Sequence, residues 1–119
     1  MRFLDDKYGA DFQYSKDDVF NALLEAVQKI KNMKVDNEDR VSGFILIKTG
    51  VTLTSWGEKI LFSVLNVSPG HTRVEILSPP KTGIFGGGDS DIARKQFIGI
   101  NLANIEKILE VASKILAQL

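Results

Sequence analysis

Between Gly43 and Val67 large apolar side chains fall at both odd and even positions, a pattern that a sheet with one wet face does not carry. Side chains on a strand alternate with period two. Phe44 and Leu46 therefore point one way and Ile45 and Ile47 the other, while Ile60, Phe62 and Val64 oppose Leu61 and Leu65. The segment reads as one long bent hairpin with two apolar faces. Helices of the same chain can bury one of them. The second face needs a partner subunit, a ligand cavity or a strongly coiled sheet to keep it from water.

At 119 residues, 44% hydrophobic and 25% charged, the chain has the size of one globular domain over residues 1–119 with a small core of its own. Fifteen basic and fifteen acidic residues give a formal net charge of zero, which provides no long-range field to draw in a polyanion. Lys29, Lys31, Lys34 and Arg40 cluster around the end of the first helix, but Asp36, Glu38 and Asp39 interrupt them, and no nucleic-acid partner is expected. The absence of cysteine excludes disulfides and thiolate chemistry and fits a reducing compartment. The opening Met1-Arg2-Phe3-Leu4-Asp5-Asp6-Lys7 turns to charge too early for a signal peptide, and no apolar run approaches the roughly 20 residues that span a bilayer. The expectation is a cytoplasmic protein without membrane insertion.

Asp11-Phe12-Gln13-Tyr14 alternates as a short strand. Ser15 then stands as an N-cap, with Asp17 and Asp18 in the first turn, Lys29 and Lys31 in the last, and an apolar stripe of Phe20, Leu23, Leu24, Val27 and Ile30. Met33 to Asp36 reads as a strand, Asn37-Glu38-Asp39-Arg40 as a turn, and Val41 to Ser55 as one strand bent at Gly50. Trp56-Gly57 reverses the chain, Glu58 to Val67 returns, Ser68-Pro69-Gly70-His71 turns again, and Thr72 to Leu77 is the last strand, stopped by Pro79-Pro80. A second helix runs from about Asp91 to Leu119 on Ile98, Leu102, Ile105, Leu109, Ala112, Leu116 and Leu119. Gly99 weakens its start by roughly 1 kcal/mol against alanine, and Asn101 offers a later N-cap, so a late start or a kink is expected there. The order β-α-β-β-β-β-α with short loops predicts an α+β fold: a curved antiparallel sheet with two helices packed on one face.

Glycines before a helix can present backbone N–H groups to a phosphate, which singles out Gly83 to Asp91. The loop lacks the lysine and hydroxyl of a Walker motif, and Asp89 and Asp91 would repel an anion. Gly87, Gly88, Asp89 and Asp91 remain weak anion or metal candidates beside a plain connector or helix cap, since two aspartates fall short of a calcium ligand set. His71, the single histidine, lies in a turn with no partner that the sequence reveals. No catalytic residue and no cofactor can be named, and the balance leans away from an enzyme. Trp56 at the reversal and Phe85 among glycines can pack within the chain or anchor a ligand or partner. With Phe44 and Phe62 they are the ligand or interface candidates.

The stretches Ser42-Gly43-Phe44-Ile45, Lys48 to Ile60 with Ser55-Trp56-Gly57 at its turn, Thr72 to Ile76 and Asn104 to Leu109 resemble a group of small uncharacterised bacterial α+β domains. The resemblance implies a strand, a Ser-Trp-Gly reversal, a partner strand and a closing helix, and brings no catalytic residues. It is also similar to a reduced helix-grip or TATA-binding-protein-like fold, in which a curved sheet holds a long C-terminal helix. Two functions follow as expectations. The first is a non-enzymatic interaction module that forms a homo-oligomer through the apolar outer face of its sheet. The second is a carrier for a small apolar molecule held between the bent sheet and the C-terminal helix.

Overall fold

Ser15 opens the first helix as its spacing predicts: its hydroxyl accepts the Asp18 N–H at 3.2 Å, and Asp17 and Asp18 occupy the positive end of the helix dipole. The computed structural model describes residues 3–50, 58–77 and 91–119. Its elements are β1 (Gly9–Phe12), α1 (Lys16–Lys29), β2 (Met33–Asp39), β3 (Phe44–Thr49), β4 (Glu58–Ser68), β5 (His71–Leu77) and α2 (Asp91–Leu116). The strands form one antiparallel sheet in the order β1-β5-β4-β3-β2, so β1 crosses from the start of the chain to pair with β5. This is the expected α+β order.

One face of the sheet is dry. Ile45, Ile47, Ile60, Phe62, Val64, Val74 and Ile76 are fully buried, and the helices meet them with Val19, Phe20, Leu23, Ala26 and Val27 of α1 and Ile98, Ile105, Ile108, Leu109, Ala112 and Leu116 of α2. Each of the valine, leucine, isoleucine and phenylalanine side chains among them contributes about 1.5–3 kcal/mol by leaving water, so this layer dominates stability. The stripe on α1 is wider than the sequence pattern suggested, because the small Ala22 and Ala26 let the helix lie close to its neighbours.

Several boundaries differ from the sequence reading. β1 begins at Gly9, two residues before the expected strand, because Tyr8 O and Gly9–Phe12 find partners along β5. Asn37, Glu38 and Asp39 extend β2 instead of turning; a bulge at Asp36 absorbs the register shift, and the turn falls at residues 40–43. Asp39 accepts the Val41 N–H at 3.0 Å and the Ser42 N–H at 3.4 Å, and Gly43 at φ +86° closes the reversal where an added Cβ would strike the Val64 carbonyl. Val41 thus belongs to the turn and not to a strand. The predicted long strand stops at Thr49: Gly50 takes φ +66° and donates to the Asn32 carbonyl at 3.0 Å. Its expected continuation to Ser55 and the Trp56-Gly57 reversal lie outside the described residues. His71 opens β5 instead of ending a turn.

α2 runs unbroken through Gly99. Asn101 does not cap a new start; its side-chain amide donates to the Phe97 carbonyl one turn back at 2.9 Å, a bond that keeps a buried polar group satisfied inside the helix. Leu119, expected on the apolar stripe, lies beyond the helix and is exposed.

Candidate functional site

The outer face of the sheet, opposite the helices, can be read row by row from the strand register. One row sets Lys34, Lys48 and Lys59 side by side across β2, β3 and β4. The next holds Asn37, Leu46, Leu61 and Leu77, and the next Asp39, Phe44, Ser63, Glu75 and Gly9. A last row holds Leu65, Arg73 and Asp11. The middle of this face is apolar and its ends are charged.

Phe44 and Leu65 are 41% and 39% exposed, next to half-buried Leu46, Leu61 and Leu77. Val67, at the bulge of β4, adds a further exposed group at the strand end. Phe44, Leu46 and Leu61 with Asn37, Glu38, Asp39 and Ser42 line an open groove of about 360 Å³. Within the described residues the outer side of the sheet is met by no helix, which leaves Phe44, Leu46, Leu61, Leu65 and Leu77 as neighbours on adjoining positions of the register.

The two charged ends are built differently. At the lysine end, Asp36 on the β2 bulge pairs with Lys59 at 3.2 Å, so three cations face one anion. Like charges directly opposite on neighbouring strands repel, and the lysine row costs the isolated chain stability. At the other end Arg73 is held by three carboxylates: Asp5 at 2.7 and 3.2 Å, Asp11 at 3.1 Å and Glu75 at 3.3 Å. Its guanidinium lies over Gly9, occupying the space that a Cβ there would need. Arg73 holds the Asp5 carboxyl well below its usual range, helped by the Lys7 and Gly9 N–H groups, and Asp5 in turn raises Arg73 above its ordinary value. His71 Nε2 lies 3.0 Å from Asp11 Oδ1 at the edge of the same group.

The aromatic candidates divide between the layers. Phe44 stands on the outer face. Phe62 is fully buried on the inner face, so it cannot reach an outer-face partner, and a test of that surface through Phe62 would instead test the core. Phe44 and Phe62, on opposite faces, cannot line one cavity. Trp56, Phe85, Gly87, Gly88 and Asp89 lie outside the described residues; Asp91 opens α2. Among the described residues no group of three or more His, Cys, Asp or Glu side chains is placed to hold a metal ion, and no helix is long and apolar enough to cross a membrane.

Sequence reasoning missed the Arg73 cluster. Asp5, Asp11 and Arg73 are joined by β1 crossing to β5, a pairing over more than sixty positions that local alternation does not report. The lysine row was equally hidden, since it depends on register and not on composition.

No family model matches the sequence, and no curated protein matches it. Among solved structures the chain is similar to the Zhui aromatase/cyclase from Streptomyces sp. R1128, at 10% identity and a TM-score of 0.43, over 92% of this chain and 91% of that one. A likeness at that level carries no conclusion about chemistry.

Proposed function

We propose that this chain is a non-enzymatic interaction module that self-associates through the outer face of its sheet. The observation that carries the reading is the strip of Phe44, Leu46, Leu61, Leu65 and Leu77, half-buried or exposed on the side away from both helices and met by no other element among the described residues. Two such faces can stack about 10 Å apart and enclose the strips between them, as paired sheets do in sandwiches. The carrier alternative has less support. The side chains between the sheet and the helices that would line its pocket are fully buried in one continuous cluster, whereas the groove that carries apolar walls opens on the outer face.

Sedimentation velocity from low to high micromolar concentration tests the proposal. The wild-type chain should shift from monomer to dimer, and Leu61→Lys should remain monomeric while its urea midpoint, measured at low concentration, stays close to the wild type. A wild-type chain that is monomeric throughout would overturn the reading.

A further inference from the structure

Resting on that reading, we infer that the partner is a second copy turned over so that the lysine end of each sheet lies on the Arg73–carboxylate end of the other. The charges of one face are complementary to themselves. Lys34, Lys48 and Lys59 against Asp36 leave two positive charges in excess at one corner; Asp5, Asp6, Asp11 and Glu75 against Arg73 and Lys7 leave two negative charges in excess at the opposite corner.

The strand register fixes the geometry. Rows two residues apart are about 6.8 Å apart along the strands, so the lysine row lies about 14 Å from the Glu75 row and about 20 Å from the Asp11 row. The lysine corner centres on β3 and the acidic corner between β5 and β1, which puts their midpoint on β4 beside Leu61. A two-fold axis lying between the stacked sheets at that point, perpendicular to the line that joins the corners, exchanges them and brings Leu46, Leu61, Leu77 and Phe44 of both copies to the centre. An interface in parallel orientation would instead set lysine row on lysine row. Long lysine stems can lie along the leucines while their ammonium groups reach the carboxylates. The same lysines repel one another within a single chain, and a covering surface that brings acid to them removes that cost.

The experiment uses the full chain and measures dimer affinity by sedimentation equilibrium. The variant Lys48→Glu should weaken the homodimer at least ten-fold, while its thermal midpoint as a monomer stays level or rises because a glutamate there lies opposite Lys34 and Lys59 and leaves the Lys59–Asp36 pair in place. Glu75→Lys should weaken it by a similar factor. Mixed in equal amounts, the two should form a heterodimer tighter than either homodimer, because the unaltered acidic corner of one then faces the unaltered lysine corner of the other. Raising the salt concentration should weaken the wild-type dimer. If neither charge reversal nor salt changes an affinity that Leu61→Lys abolishes, the orientation is wrong and the docking face survives. If the wild type never dimerises, both statements fall. If Glu75→Lys disturbs folding, as its contact with Arg73 allows, Asp11→Asn replaces it; it should weaken the homodimer by a smaller factor, and no change in affinity would count against the proposed corner.

Discussion

The inner face of the sheet is closed by two helices, with Ile45, Ile47, Ile60, Phe62, Val64, Val74 and Ile76 reduced to zero exposure, whereas the outer face leaves Phe44 and Leu65 more than a third exposed. Both faces are carried by the same strands, and neighbouring residues in sequence differ only in which side they occupy. A two-sided apolar strand therefore reports how many layers a chain must belong to. The described residues supply two layers, sheet and helices, and among them no third layer covers the outer strip.

Removing one aromatic from each face should separate the two faces most strongly. Phe62→Ala should cost about 3–5 kcal/mol in urea denaturation, because it leaves a cavity in a packed layer, while Phe44→Ala in the dilute monomer should change stability by less than about 0.5 kcal/mol. Equal losses would mean that the outer strip is covered within the chain. Next in size is Arg73→Ala, expected to cost about 1–2 kcal/mol at neutral pH, discounted for the exposure of its partners. Asp5 supplies the pH signature. Its carboxyl is held below the ordinary value of 3.8 in the folded chain, so the stabilisation it brings is complete above that pH and is lost as pH falls below it. The gap between wild type and Arg73→Ala should accordingly narrow from pH 7 to pH 3, and a constant gap would show that the cluster acts by packing alone. A gain of stability is expected at Gly99, where an added Cβ meets nothing within 4 Å on an exposed turn of α2. Gly99→Ala should raise stability by about 1 kcal/mol; a loss would mean that another surface approaches the helix backbone there.

The layered architecture was legible because it rests on periodicity: the Ser15 cap, the α1 stripe, the alternation of β5 and the long α2 pattern each report local geometry. The turn between β2 and β3 was not, since Asn37, Glu38 and Asp39 have the composition of a turn yet pair with Leu46, Ile45 and Phe44 across a bulge. Tertiary pairing overrode a weak local preference there. At Gly99 helix packing overrode the cost of a glycine in the same way. Of the candidate surface, the apolar strip was visible as an excess of large side chains at outward positions. The charged corners were not, because Lys34, Lys48 and Lys59, or Asp5, Asp11 and Arg73, meet only after the register of several strands has been chosen.

The pairing of β1 with β5 has a kinetic consequence. During synthesis the first strand emerges early but has no hydrogen-bonding mate until residues near Leu77 are made, and the lid of the dry layer, α2, arrives last. The meander of β2 to β5 can zip through short-range hairpins, while closure of both the sheet edge and the core waits for contacts distant along the chain. Until then the greasy strands stand open, the condition under which non-local β pairing exposes a folding chain to aggregation.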